Sequence, residues 1–228
     1  MCAGYGLGGG RGPLPLDLEP MSEQGNRVLL EEWARQWLGK ANTTRRQKRG
    51  VNLNPIILGE GGGARSLELA WWWLHVGGEP AKFSAFNSRD DALVSKWRKP
   101  FQHRALIPAD WYSEGGKRWA LPDGQLFGIA AIVAPRAADD GGEGLSYSMV
   151  TRHGVGEAST VVSSRGESRM PLVLPRELHD EWLDPDRPGD AELVERAQLV
   201  SEEISRAMTV VEPPAEPEEK PAAEATLF

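Results

Sequence analysis

Between Ser22 and Lys40 the apolar residues Leu29, Leu30, Trp33, Trp37 and Leu38 recur at three- and four-residue steps. That spacing predicts an amphipathic helix ending near Gly39. A second long helix is expected over Asp190–Met208, and shorter ones over Ala92–Lys99 and Glu177–Leu183, the last with Leu178 and Trp182 one turn apart. The remaining apolar runs are short and rich in β-branched or aromatic residues: Asn54–Leu58, Ala70–Val76, Arg104–Pro108, Arg118–Leu121, Leu126–Val133, Ser146–Thr151 and Pro171–Leu174. Loops rich in Gly, Asp and Pro separate them, including GEGGG at 59–63 and AADDGGEG at 137–144, so they read as strands. A very short first strand is expected ahead of the Gly- and Pro-rich loop at 6–20. Short, mostly antiparallel strands mixed with a few helices predict an α+β fold. The domain is expected to span 1–211, followed by an acidic, Pro-rich, disordered tail at 212–228.

Charge sharpens this picture. The 228 residues carry 26 basic and 33 acidic side chains, and the tail alone, EPPAEPEEKPAAEATLF, holds five Glu against one Lys. A uniformly basic nucleic-acid coat is excluded, while a local basic patch on a mildly acidic body is not. The cluster Arg45, Arg46, Lys48 and Arg49 is the candidate for such a patch; a solvated face is the alternative reading. No apolar run approaches the roughly 18 to 20 residues of a membrane span, and no secretory signal pattern opens the chain. A single cysteine leaves no internal disulfide framework, and His75, His103 and His179 lack metal-like spacing, so no metal or other cofactor is expected. A cytoplasmic monomer is expected, with no membrane partner.

The lone cysteine, Cys2, is the most informative position. A lone Cys is ordinarily a small buried hydrophobe. Removal of the initiator Met would instead make it the N-terminus, with an α-amine of pKa about 7.7 to 8.0 beside a thiol of about 8.5. Such a 1,2-aminothiol can condense with an aldehyde to an imine that the thiol closes to a thiazolidine. Alternatively, the thiol can attack an amide with the amine as its base. Position alone does not choose between the two.

Four segments in order carry a resemblance: MCAGY at the start, FNSRDD at Phe86–Asp91, RALIPADWYSEGG at Arg104–Gly116 and SRMPLVLP at Ser168–Pro175. Over roughly residues 1–185 the chain resembles the SOS-response-associated peptidase (SRAP) family, whose members begin MCGRY and carry FNAR, a CLIPADGFYEW-like segment and HDRMPVIL. The resemblance implies autocatalytic removal of Met1 and a thiazolidine crosslink between Cys2 and the aldehyde of an abasic site in single-stranded DNA. It implies Asn87 beside the nucleophile, Arg89 and Arg169 at DNA, and Glu114, four residues after Asp110, as the catalytic carboxyl. A carboxyl there suits the proton deliveries that ring opening and dehydration need. A nucleoid-associated location follows from the same resemblance.

The departures are as specific. Glu167 stands where the family has the His of HDRMP, and could serve as an acid only if burial or nearby Glu114 raised its pKa. His153 is a substitute for that His or an ordinary surface residue. MCAGY has Gly4 where the family has Arg, and the aromatic positions around Glu114 are shifted. In the run Trp71-Trp72-Trp73, Trp72 is expected either to stack a nucleobase or to pack the core. The terminal Leu227 and Phe228 resemble bacterial sliding-clamp-binding peptides, or are the hydrophobic end of a solubilising tail. Two rival readings accompany the crosslinking sensor: an N-terminal-nucleophile hydrolase acting on amides, and a relative that has lost its chemistry and only docks on DNA or the clamp.

Overall fold

The computed structural model describes residues 4–8, 14–35, 53–138, 141–162 and 166–212. Strand β1 (Gly4–Gly6) precedes helix α1 (Gln24–Arg35), which buries Leu30 and Trp33, the indole donating to Leu53 O at 2.9 Å. The β2 (Leu53–Gly61) and β3 (Ala64–Trp72) hairpin follows, then the short pair β4 (His75–Val76) and β5 (Glu79–Pro80). Next come β6 (Asn87–Arg89), β7 (Arg104–Ala109), β8 (Trp111–Glu114) and β9 (Lys117–Ala120). The long strands β10 (Phe127–Ala137) and β11 (Glu143–His153) lead to β12 (Arg169–Pro171) and β13 (Val173–Leu174). The chain then forms α2 (His179–Leu183), α3 (Ala191–Val200), α4 (Glu202–Arg206) and β14 (Thr209–Val211). The fold is α+β.

Pairing runs β11–β3–β2–β7–β10, and β10 pairs back onto β11, so these five strands close on themselves as a barrel. Alternation along β7 and β10 divides the core in two. Ala105, Ile107, Ala109, Ile129 and Ala131 pack with Tyr112 and Trp119 from a second sheet, β1–β8–β9–β14. Leu106, Ala130 and Ile132 face the other way, against Leu30, Trp33, Trp182 and Leu193 of the helices. Burial on both faces is why β7 reads as an unbroken apolar run after Arg104.

Several elements differ from the sequence reading, each for a local reason. Strand β8 was not among the expected runs; it exists because it pairs with β1 on one side and β9 on the other. The predicted Ala92–Lys99 helix is a series of irregular turns, with Trp97 N bonding Ala92 O at 3.1 Å. The predicted Asp190–Met208 helix begins as expected, with the Asp190 carboxylate capping Leu193 N at 2.9 Å, but divides at Ser201. There Arg152 takes the Gln198 carbonyl (2.9 Å) and the Ser201 hydroxyl (2.6 Å), competing for the acceptor the next helical turn needs. The expected Ala70–Val76 strand is the end of β3, a break at Trp73, and β4.

Candidate functional site

Two features of strand order build the site. Strand β10 flanks the first part of β11 and β12 the end of it, while on the opposite edge β3 gives way to β6. Thr151 therefore lies opposite Arg89 on one side and Pro171 on the other. The FNSR and SRMP segments, some eighty residues apart in sequence, meet across a single strand. Within β6 the two-residue period puts Asn87 and Arg89 on one face and turns Ser88 inward, where its hydroxyl meets Ser148 Oγ at 2.7 Å.

Glu114 comes from the second sheet, whose strand β8 packs against β12. It ends β8 and is buried, opposite Lys117 across a two-residue hairpin loop, and its backbone carbonyl accepts from the Trp119 indole at 3.2 Å. Gly115 and Gly116 form that loop with φ of 62° and 76°, the type I′ geometry that side-chain-bearing residues resist. A Cβ on Gly115 would come within 2.2 Å of Val161, so the close approach of the 156–162 segment also requires glycine. Strand β1 runs antiparallel to β8 with Gly4 opposite Ser113, one residue from Glu114. Tyr5 anchors β1 in the core through a hydroxyl–hydroxyl hydrogen bond to Tyr147. Downstream, Asp110 N donates to Gly6 O at 2.9 Å, and Gly8 N donates to Asp110 Oδ2 at 3.1 Å. Burial pushes the Asp110 carboxyl up to about 6.

Arg89 is fully engaged within the chain. Its Nε and Nη2 hold Asp91 at 2.9 and 2.6 Å, and its Nη1 lies 3.1 Å from both carboxylate oxygens of Glu167. These carboxylates hold the guanidinium above its usual range, Asp91 contributing most, and Asp91 is held below its own. The Glu167 side chain is 44% exposed. An acid role called for burial or a carboxyl neighbour; Glu167 instead faces solvent and a cation. His153 is exposed at the end of β11, opposite Arg169 of β12.

Two of the expected DNA-contacting residues are interior ones. Trp72 is fully buried: its indole donates to Phe86 O at 2.8 Å and its ring stacks on Tyr147 with a 6.4 Å centroid separation, so no face is open to a nucleobase. Its neighbours Trp71 and Trp73 are the half-exposed members of the run. Arg169 is 4% exposed and ion-pairs with buried Asp90 at 3.0 Å, its Nη2 also donating to Thr151 O at 2.5 Å. It ties β12 to the turn after β6, and Gln198 Nε2 completes the Asp90 carboxylate at 2.7 Å. The barrel alone brings Arg169 to Asp90 and Glu167 to Arg89, so no local pattern pairs them, whereas Asp91 is held by Arg89 two residues before it. Cys2, Arg45, Arg46, Leu227 and Phe228 lie outside the described residues. Among the described residues no group of three or more His, Cys, Asp or Glu could hold a metal ion, and no helix is long and apolar enough to cross a membrane.

The chain is similar in fold to several solved proteins. One from Bordetella bronchiseptica shares 20% identity and a TM-score of 0.52, over 69% of this chain and 85% of that one. A Bacteroides thetaiotaomicron protein shares 19% identity and a TM-score of 0.51, over 80% and 88%. A phage-related protein of B. bronchiseptica shares 20% identity and a TM-score of 0.50, over 70% and 76%. No curated protein matches the chain. The model of the SOS response associated peptidase (SRAP) family matches residues 29–212. That match takes in the strands bearing Asn87, Arg89 and Glu114 and the segment bearing Glu167, and by it the chain belongs to the SRAP family, whose membership supports a DNA-damage-related role with peptidase-like chemistry.

Proposed function

We propose that this protein is an abasic-site sensor that captures the aldehyde of the lesion through Cys2 once Met1 has been hydrolysed away. The amine of Cys2 adds to the aldehyde carbon to give a carbinolamine, which loses water to an imine. The thiol then adds to the imine carbon and its proton passes to nitrogen, closing the thiazolidine, so the net change is loss of one water. Glu114 is the carboxyl that delivers and takes back protons, and Asn87 lines the same corner. The lesion is held in single-stranded DNA, and the tail ending in Leu227 and Phe228 tethers the sensor to a sliding clamp.

The observation that carries this reading is the register of β1 on β8. Gly4, two residues after Cys2 in sequence, lies opposite Ser113, so β1 begins beside the end of β8 that carries Glu114. A buried carboxyl near the start of the chain is what both proton transfers require.

Intact mass of the purified protein, before and after incubation with a single-stranded oligonucleotide bearing one abasic site, tests the proposal. The expected result is a starting mass without Met1 and a covalent adduct that needs both the lesion and Cys2. A protein retaining Cys2 at its N-terminus that forms no adduct would sink the sensor reading, and turnover of a small amide by that same protein would favour the hydrolase.

A further inference from the structure

A groove of about 630 Å³ opens between the β4 turn, the irregular 95–100 segment and the Val133–Pro135 end of β10. It lies away from Glu114 and Asp110. Its wall at His75 is tied by its backbone N–H to Ser146 Oγ at 2.9 Å, three residues along β11 from Met149, which pairs with Asn87. At the strand rise, that places it about 10 Å from the Asn87 level of the barrel.

Its chemistry stands out on a protein with a net charge of −7. Lys96, Arg98 and Lys99 are all exposed along one wall, and no carboxylate is among its described lining residues. Phe83 stands 45% exposed in the same groove beside buried Trp97. The Lys96 ammonium lies 4.1 Å from the Phe83 ring centroid and 4.6 Å from that of Trp97. The three cations have no ion pair among the described residues, and Lys96 lies over one face of the Phe83 ring, which a stacking base would share or take over. An exposed ring with cations spaced along one edge matches the two needs of a single strand, a stacking platform and phosphate neutralisation.

We infer that this groove is a second subsite for single-stranded nucleic acid, stacking a base on Phe83 while Lys96 and Lys99 neutralise adjacent phosphates. It holds the strand that flanks the lesion and so rests on DNA being the ligand, but it needs none of the chemistry at Cys2. An undamaged strand therefore suffices to test it.

The experiment measures fluorescence anisotropy of a labelled undamaged oligothymidylate across a salt series, using the full chain and the variants Lys96→Ala/Lys99→Ala, Phe83→Ala and Phe83→Trp. The double lysine variant should weaken binding and lower the slope of log affinity against log salt by about 1.4, at about 0.7 per phosphate on a single strand. Phe83→Ala should lose about fivefold or more in affinity, and Phe83→Trp should retain or improve it. Variants that bind like the parent overturn the subsite. So does an acidic peptide that binds as tightly as the oligonucleotide and ignores Phe83→Ala, since it assigns the groove to a protein. Adduct formation with an abasic dinucleotide, too short to reach the groove, should be unchanged in every variant. Its absence in the parent would instead count against the crosslinking reading, so the two failures are distinct.

Discussion

Glu167 and Arg89 illustrate how one residue type changes a site. The family pattern places a His before the Arg-Met-Pro segment; here a carboxylate reaches across and holds both its oxygens 3.1 Å from Arg89 Nη1. To an arginine expected to meet phosphate, Glu167 and Asp91 already present the geometry and charge of one. A strand entering the site must displace Glu167 or share the guanidinium with it. Because the pair is nearly half exposed, it contributes only about 0.2 to 1 kcal/mol. Glu167→Gln should therefore tighten binding of undamaged single-stranded DNA by about 1.4- to fivefold. Titration of a labelled strand at low salt checks this, and unchanged affinity would mean that Arg89 does not engage the strand.

At the scale of elements, buried cations fix how the helices sit on the barrel. Arg104, 5% exposed at the start of β7, donates to Trp182 O (2.6 Å), Phe101 O (2.9 Å), Asp184 O (2.7 Å) and Arg187 O (2.6 Å). Burial pulls its guanidinium down to about 10, still charged at neutral pH. It closes the end of α2, where carbonyls would otherwise be left unpaired. Arg104→Ala removes the donors of all four and should destabilise the fold by roughly 3 to 5 kcal/mol, read as a lower urea midpoint with little change in m-value. Lys carries three donors without the planar fork, so Arg104→Lys should recover only part of the loss. The same logic explains the divided C-terminal helix, whose apolar period predicts one rod. Its period was legible, but the break at Ser201 came from Arg152 on a distant strand.

For the molecule as a whole, buried titratable groups set an opposed pH response. Asp110 titrates near 6 in the fold against 3.8 for an ordinary Asp, because burial disfavours its charge. Between those values the folded protein keeps a proton the unfolded chain has lost, so this group makes stability fall as pH rises through about 4 to 6. His179 is pulled down to about 4, burial again being the largest cause, and its contribution runs the other way, stability being lost as pH falls through the window below 6.5. Asp110→Asn keeps an acceptor for Gly8 N and removes only the first effect. Its stability should match the parent's near pH 4 and exceed it above pH 6. Chemical denaturation at a series of pH values checks this, and parallel profiles for the two proteins would contradict it.

Much of this was written in the chain. The periodicities of α1 and the C-terminal segment, the short apolar runs and the order of four motifs determined the α+β class and the family, because local spacing and short motifs need no knowledge of distant neighbours. The motifs that make Asn87, Arg89 and Glu114 candidates were legible for the same reason, and their roles stay proposals. Three things were decided only by the tertiary structure. Strand β8 exists through its partners β1 and β9, and its residues carry no strong strand period of their own. Trp72 and Arg169 look like contact residues in sequence, yet Trp72 is packed against Tyr147 of β11 and Arg169 against Asp90 and Thr151. Glu167 acquired its partner because β6 and the segment before β12 flank the end of one strand. Burial and pairing across some eighty residues depend on how the barrel closes, and no local pattern records that.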